Sequence, residues 1–199
     1  MTIYALKGRF QGILRPAVRG MVWIGVRANH VTIAACLVSI AIGALLILLD
    51  RVWFALIPIW MFLRMALNAI DGMLAREFNQ KSALGGYLNE LTDVLSDAAL
   101  YLPFAFVPPF NWMSVTAAIF ASALTEMTGV VSVMIGASRR YDGPMGKSDR
   151  AFVFSLLAIW ISVTRATLPR WANVIMWAIT AAAALTVVRR IRGGLEELT

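Results

Sequence analysis

Residues 68–93 read NAIDGMLAREFNQKSALGGYLNELTD. The segment joins the end of one long apolar run to the start of the next, and its polar residues recur at helical spacing. Asn68 and Asp71 lie three apart and share a helix face. Asn89, Asp93 and Asp97 follow at intervals of four on one face, with Glu90 bordering the same stripe. Two facing helices thus present Asp and Asn oxygens to each other. Like charges so close in a low dielectric are unfavourable unless a cation lies between them. An oxygen-only donor set without His or Cys suits a hard cation such as Mg²⁺, Mn²⁺ or Ca²⁺. Mg²⁺ in turn favours phosphate substrates, because it binds through a few carboxylates and substrate phosphate oxygens. The plainer reading is a proton-shared polar seam that only joins two helices.

Outward from this segment the chain is strongly apolar. Of its 199 residues 60% are hydrophobic and only 15% charged, against roughly 45–50% and 25% in soluble domains. The mean hydropathy is +0.74. That excludes a disordered chain, and a single cysteine, Cys36, excludes a disulfide scaffold. A net charge of +7 would fit a nucleic-acid binder, but the hydropathy would not. A polytopic membrane protein accounts for both, since basic residues collect on cytoplasmic loops; no nucleic acid is expected as partner.

The expected architecture is all-α. Six runs are long enough for a bilayer, which needs about 20 residues each: Val31–Leu49, Val52–Ala75, Gly85–Val107, Trp112–Ala137, Ala151–Thr167 and Trp171–Val188. Pro108-Pro109, Asp142-Gly143-Pro144 and Pro169 fall between them. Residues 1–30 form a separate N-terminal amphipathic helix, and residues 31–199 the membrane domain. Tyr4, Leu6, Phe10, Ile13, Leu14, Val18, Met21, Val22 and Val26 repeat at helical spacing, interrupted by Lys7, Arg9, Arg15, Arg19 and Arg27. Those charges also break any signal-peptide core.

The basic residues set the orientation. Fourteen of eighteen Lys and Arg lie in residues 1–30, the loops after spans two and four, and the C-terminal tail. Arg51, Arg165 and Arg170 lie on the other side, and Arg64 lies within span two. Both termini and the acidic cluster are therefore expected on the cytoplasmic side of a bacterial-type inner membrane.

The spacing of residues 68–93 resembles the signature of the CDP-alcohol phosphotransferases, D-x2-D-G-x2-A-R-x8-G-x3-D-x3-D. Asp71, Gly72, Ala75, Arg76, Gly85 and Asp93 are in register, six of eight fixed positions. Asn68 and Asn89 stand where the family has its first and third aspartates. The resemblance implies six spans, an amphipathic N-terminal helix and a homodimer. It implies transfer from a CDP-linked donor, commonly CDP-diacylglycerol, to an alcohol acceptor, with CMP released in phospholipid synthesis among membrane lipids.

In that family the four aspartates hold two divalent cations and the last is the general base. The resemblance therefore makes Asp93 the catalytic base. It makes Asp71, Asp93, Asn68 and Asn89 ligands of one or two Mg²⁺ or Mn²⁺ ions, with Asp97 or Glu90 restoring charge. Amide oxygens ligate a hard cation more weakly than carboxylates. Gly72, Arg76 and Ser82 would meet the donor. So would Asn29 and Thr32, because Asn29-His30-Val31-Thr32 is similar to the family's Pro-Asn-x-x-Thr segment, with Ala28 for proline. Gly146-Lys147-Ser148 resembles a Gly-Lys segment at the start of span five.

Arg139, Arg140, Lys147 and Arg150 form either a positive-inside loop or a pocket for a phosphorylated acceptor or lipid phosphate, with Arg139 and Lys147 as its contacts. Glu126, mid-span, is expected to pair with Arg64. His30 reads as an interfacial or capping residue rather than a catalytic one. Two other functions fit the residues. The two asparagines suit a silent relative that binds a CDP-lipid or scaffolds other enzymes. Six spans with buried acids permit a small transporter, although broken mid-membrane helices would then be expected.

Overall fold

The computed structural model describes residues 3–164 and 167–199, with side chains from residue 10 onward. Arg165 and the side chains of Tyr4, Leu6, Lys7 and Arg9, used above, lie outside the described residues.

The described residues form helices and no strand. These are α1 (Ile3–Trp23), α2 (Ala28–Leu48), α3 (Leu56–Glu77), α4 (Ala83–Tyr101), α5 (Trp112–Met134), α6 (Lys147–Val163) and α7 (Asn173–Leu198). Short 3₁₀ turns over Arg51–Ala55 and Arg170–Ala172 lead into α3 and α7, and another over Leu102–Phe106 follows α4.

Local chemistry sets the ends. Ser82 caps α4, its Oγ accepting from the Gly85 N–H at 2.9 Å. Asn111 caps α5, its Oδ1 accepting from the Ser114 N–H at 3.0 Å. These caps satisfy N–H groups that the first turn leaves without a partner. α5 stops at Met134, short of the expected Ala137, because Gly136 takes a φ of +93°. The expected third span breaks after Tyr101 into a 3₁₀ turn containing Pro103, which has no N–H to continue the α-helical ladder. α2 begins at Ala28 rather than Val31, and α7 runs on to Leu198 rather than Val188.

Four stretches are long and apolar enough to cross a membrane: Ala28–Leu48, Arg51–Glu77, Trp112–Met134 and Arg170–Leu198. The other two expected spans fall on α4 and α6. α4 carries three acids, Glu90, Asp93 and Asp97, and α6 is 17 residues long. The apolar and polar sides are arranged as a hydrocarbon solvent requires. Leu37, Phe120, Phe152 and Val174 face outward, more than three-fifths exposed, while Arg150, Asp97 and Arg64 are buried.

One core gathers Phe54, Ile57, Leu100, Phe104, Phe154, Leu157 and Met176. Within it Tyr101 stacks on Phe154 at 3.7 Å between ring centroids, and Phe54 meets Phe104 edge-on at 5.2 Å. A second cluster seats Val18 of α1 against Ile70, Met73 and Leu74 of α3. Arg15 pairs with Glu77 at 3.0 Å along the same seam. α2 lies directly on α4. A Cβ on Gly43 would come within 2.1 Å of the Ala99 carbonyl oxygen, so only glycine permits that approach. This packing brings the start of α2 to the ends of α3 and α4 that hold the signature residues.

Candidate active site

The acids of α3 and α4 meet basic residues from three directions. Lys147 Nζ of α6 lies 2.5 Å from Asp93 Oδ1. Arg64 of α3 reaches the same oxygen from Nη2 at 3.2 Å and donates to the Asp93 carbonyl at 3.1 Å. Its Nη1 pairs with Asp97 Oδ1 at 2.6 Å. Asp97 Oδ2 then faces Arg150 Nη2 at 3.3 Å, and the same nitrogen meets Glu126 Oε1 at 2.8 Å. The result is an alternating chain: Lys147, Asp93, Arg64, Asp97, Arg150, Glu126. Arg150 is further held by the Thr125 hydroxyl at 2.8 Å and the Met145 carbonyl at 3.1 Å.

Two expectations change here. Glu126 pairs with Arg150, not Arg64, because Arg64 points to α4 while Arg150 enters from the first turn of α6. Asp97 has both oxygens engaged by guanidinium groups, so it is a buried ion-pair residue whose oxygens a cation would have to share with Arg64 and Arg150. Glu90 is likewise engaged, forming a two-pronged pair with Arg139 whose Nη2–Oε2 arm is 2.8 Å. Burial opposes the Arg139 charge, but hydrogen bonds and attraction from Glu90 outweigh it and raise the pKa.

On the α2 side lies a cavity of about 350 Å³. Asn29, Thr32, Asp71, Gly72, Arg76 and Ser82 all line it, with Gly85 and Asn89. Every residue expected to meet the donor is therefore in one place, beside Asp71. Thr32 Oγ1 donates to Asp71 Oδ2 at 2.9 Å, and Gln80 Oε1 accepts from the Ala28 N–H at 2.8 Å, fixing the start of α2. Arg76 folds its guanidinium back over Gly72, where a Cβ would lie 2.7 Å from Nη2.

A second polar cavity, about 370 Å³, is lined by Asn68, Asn89, Asp93, Glu126, Arg139, Lys147 and Arg190. Asn89 borders both cavities. Arg190 was not singled out from the sequence, where it reads as one of three arginines in the tail. It is 2% exposed, and its partners are backbone carbonyls: Asp142 at 3.1 Å and Thr125 more closely. Its one sequence signal is its place four residues after Thr186, also buried, on the same face of α7. A third opening, a mostly apolar cleft of about 420 Å³, runs between α3 and α6 past Pro58, Met61, Phe62, Met65, Ala151 and Phe152. Arg64, Asn68, Asp97 and Lys147 close its polar end.

No three His, Cys, Asp or Glu side chains converge as a metal site among the described residues. The donor set left at the signature is the Asp71 carboxylate with the amides of Asn68 and Asn89. Oxygen donors of this kind fit one hard cation completed by phosphate oxygens. Asp93, the other signature carboxylate, has its Oδ1 already facing two cationic side chains, Arg64 and Lys147.

A family profile described as CDP-alcohol phosphatidyltransferase matches residues 26–188. The chain belongs to that family. It is accordingly a membrane transferase of phospholipid synthesis. It is 44% identical to the inner membrane protein YnbA of Escherichia coli (strain K12), over 98% of this chain and 97% of that protein. It is 24% identical to the phosphatidylinositol phosphate synthase of Mycobacterium tuberculosis, over 93% and 87% of the two chains. The fold is similar to a crystal structure of that synthase with CDP-DAG bound, with a TM-score of 0.74, 20% identity, and 90% and 92% coverage. It is similar also to its complex with manganese and citrate, with a TM-score of 0.71, 19% identity, and 90% and 88% coverage.

Proposed function

We propose that this chain transfers a phosphatidyl group from CDP-diacylglycerol, or a similar CDP-linked lipid, to an alcohol. The observation that carries the reading is the gathering of Asn29, Thr32, Asp71, Gly72, Arg76 and Ser82 around one cavity, joined through Asn89 to the cavity of Asp93 and Lys147. The nucleotide and pyrophosphate occupy the first cavity. The acceptor occupies the second, so the reacting phosphorus lies near Asn89. The apolar cleft between α3 and α6 suits an acyl chain.

The acceptor hydroxyl attacks the β-phosphorus, and the bond between that phosphorus and the CMP oxygen breaks. The hydroxyl proton passes to Asp93. Asp93 Oδ2 receives no hydrogen bond from the described residues, which makes it the oxygen suited to the proton. Arg76 offers a planar donor fork to the donor's phosphates. Mg²⁺ or Mn²⁺ held by Asp71, Asn68 and Asn89 would offset charge growing on the leaving CMP. Arg139 and Lys147 border the acceptor, already paired to Glu90 and Asp93, so an anionic acceptor group meets Arg190, whose hydrogen bonds among the described residues go to backbone carbonyls.

We read α4 and α6 as the two further spans, with α1 lying in the interface. Both termini and the cavities then face the cytoplasm across a bacterial-type inner membrane, and the protein works as a homodimer. Purified protein with CDP-diacylglycerol, Mg²⁺ or Mn²⁺ and a panel of alcohols is expected to release CMP only when an alcohol is present. Donor binding without CMP release under any alcohol would instead support a silent CDP-lipid binder, the reading that Asn68 and Asn89 favour.

A further inference from the structure

Most of the acids around the site are matched by a basic side chain. Along the ion-pair chain Asp93, Asp97 and Glu126 alternate with Lys147, Arg64 and Arg150, three of each sign. Glu90 is matched by Arg139, and Glu77 by Arg15. Of the five acids on α3 and α4, only Asp71 forms no direct ion pair among the described residues; its partner is the neutral Thr32 hydroxyl, and Lys147 acts on it from farther away. Asp71 is buried against the donor cavity. A single uncompensated carboxylate, with two amides near it, can neutralise only part of one divalent charge. A second divalent ion beside it would share Asp93 with Lys147 and Arg64, whose charges already draw on that carboxylate, and would be repelled by both.

Lys147 has the geometry to stand in for such an ion. Its Nζ is anchored on Asp93 at 2.5 Å and lines the same cavity as Asn68 and Asn89. An ammonium offers three donors, and one contact to Asp93 leaves the others to meet phosphate oxygens. We propose that this protein works with one divalent cation per chain, at Asp71, and that the Lys147 ammonium, held by Asp93, supplies the second positive charge to the donor's β-phosphate where it reaches Asn89, between the two cavities. Asn68 and Asn89 belong to the same arrangement. With Lys147 inserted, carboxylates at those positions are not needed to balance a second ion. The proposal rests on the transferase reading given above.

The experiment counts metal. Protein saturated with CDP-diacylglycerol is equilibrated with Mn²⁺, and bound Mn²⁺ per chain is measured by elemental analysis and by the loss of free-ion paramagnetic resonance signal. One Mn²⁺ per chain is expected for the natural sequence and two for the triple variant Asn68→Asp, Asn89→Asp, Lys147→Met. Lys147→Met alone is expected to weaken CDP-diacylglycerol binding about tenfold or more, the loss of one charge-assisted contact. Lys147→Arg, which keeps the charge, is expected to restore most of it. Melting curves of each variant separate misfolding from lost binding. Two Mn²⁺ per chain in the natural sequence, or unchanged donor affinity in a folded Lys147→Met, overturns the inference and leaves the transferase reading standing. Failure of the natural protein to bind CDP-diacylglycerol overturns both.

Discussion

Arg64 and Asp97 meet at 2.6 Å between Nη1 and Oδ1, each less than a tenth exposed. The pair ties α3 to α4 in the interior, and the same carboxylate continues to Arg150 on α6. Removing one member of a buried pair leaves an uncompensated charge, which costs about 3–5 kcal/mol. Asp97→Asn is therefore expected to lower the melting temperature in detergent markedly. Since both Asp97 oxygens already serve arginines, the Mn²⁺ affinity of the folded fraction is expected to stay unchanged. Isothermal titration of Mn²⁺ alongside thermal unfolding checks both halves.

Asp71 and Asp93 are expected to fail differently. Asp71→Asn removes the unmatched carboxylate, so Mn²⁺ binding and CMP release should both be lost. Asp93→Asn keeps the donor cavity and is expected to bind CDP-diacylglycerol while CMP release falls about 10²–10⁴-fold, the usual worth of a positioned general base. Near-normal release from Asp93→Asn would remove it as the base. Chelation by EDTA should reproduce the Asp71→Asn behaviour and be reversed by added Mn²⁺.

The reach of the sequence follows from what kind of interaction each feature depends on. The apolar runs that became α2, α3, α5 and α7 were legible because a bilayer demands length and hydropathy, both local properties. That Asn29, Thr32, Asp71, Gly72 and Arg76 belong together was legible because Asp71, Gly72 and Arg76 sit at fixed helical offsets, and the α2 segment carrying Asn29 and Thr32 resembles a known pattern. The partner of Arg64 was not legible. Glu126 and Asp97 are both intramembrane acids, and the choice between them depends on how α3, α4, α5 and α6 turn toward one another. Arg190 was hidden for the opposite reason. Near the C-terminus, next to Arg189 and Arg192, it carries the pattern of a solvated tail, and it is buried by Thr125 of α5 and by the return of the Asp142 loop onto α7. By length and composition four helices are membrane-capable, because α4 trades apolar residues for three acids and α6 is only 17 residues long.

Gly85 tests how tightly the donor cavity is built. A Cβ there would lie 2.9 Å from Asn29 Oδ1 and 3.1 Å from Ser82 Oγ. Both neighbours line the cavity, and the Ser82 hydroxyl also caps α4. Gly85→Ala is expected to push Asn29 out of place and raise the KM for CDP-diacylglycerol several-fold, with kcat nearly kept. Helix propensity favours alanine inside α4 while crowding of the Ser82 cap opposes it, so weaker donor binding with little change in melting temperature is the expected result. Steady-state kinetics with donor varied at fixed acceptor, together with a melting curve, measure the two effects separately.

Glu90 governs how much positive charge the acceptor cavity shows. Its carboxylate grips both terminal nitrogens of Arg139, which lines that cavity. An arginine so paired is a poor binder of a further anion, because a phosphate must compete with an existing bidentate partner. Glu90→Gln keeps the shape, removes the charge and releases the guanidinium. Acceptors carrying a phosphate are then expected to gain affinity relative to their unphosphorylated counterparts, and the gain should shrink as salt rises, since the new attraction is partly solvent-exposed and therefore screened. Adding Arg139→Gln to Glu90→Gln should abolish the gain, because no released cation remains. The measurement is KM for matched alcohol and alcohol-phosphate pairs across the three proteins at low and high ionic strength. Equal change in both members of each pair would mean that Glu90 and Arg139 only brace the loop between α5 and α6 and take no part in choosing the acceptor.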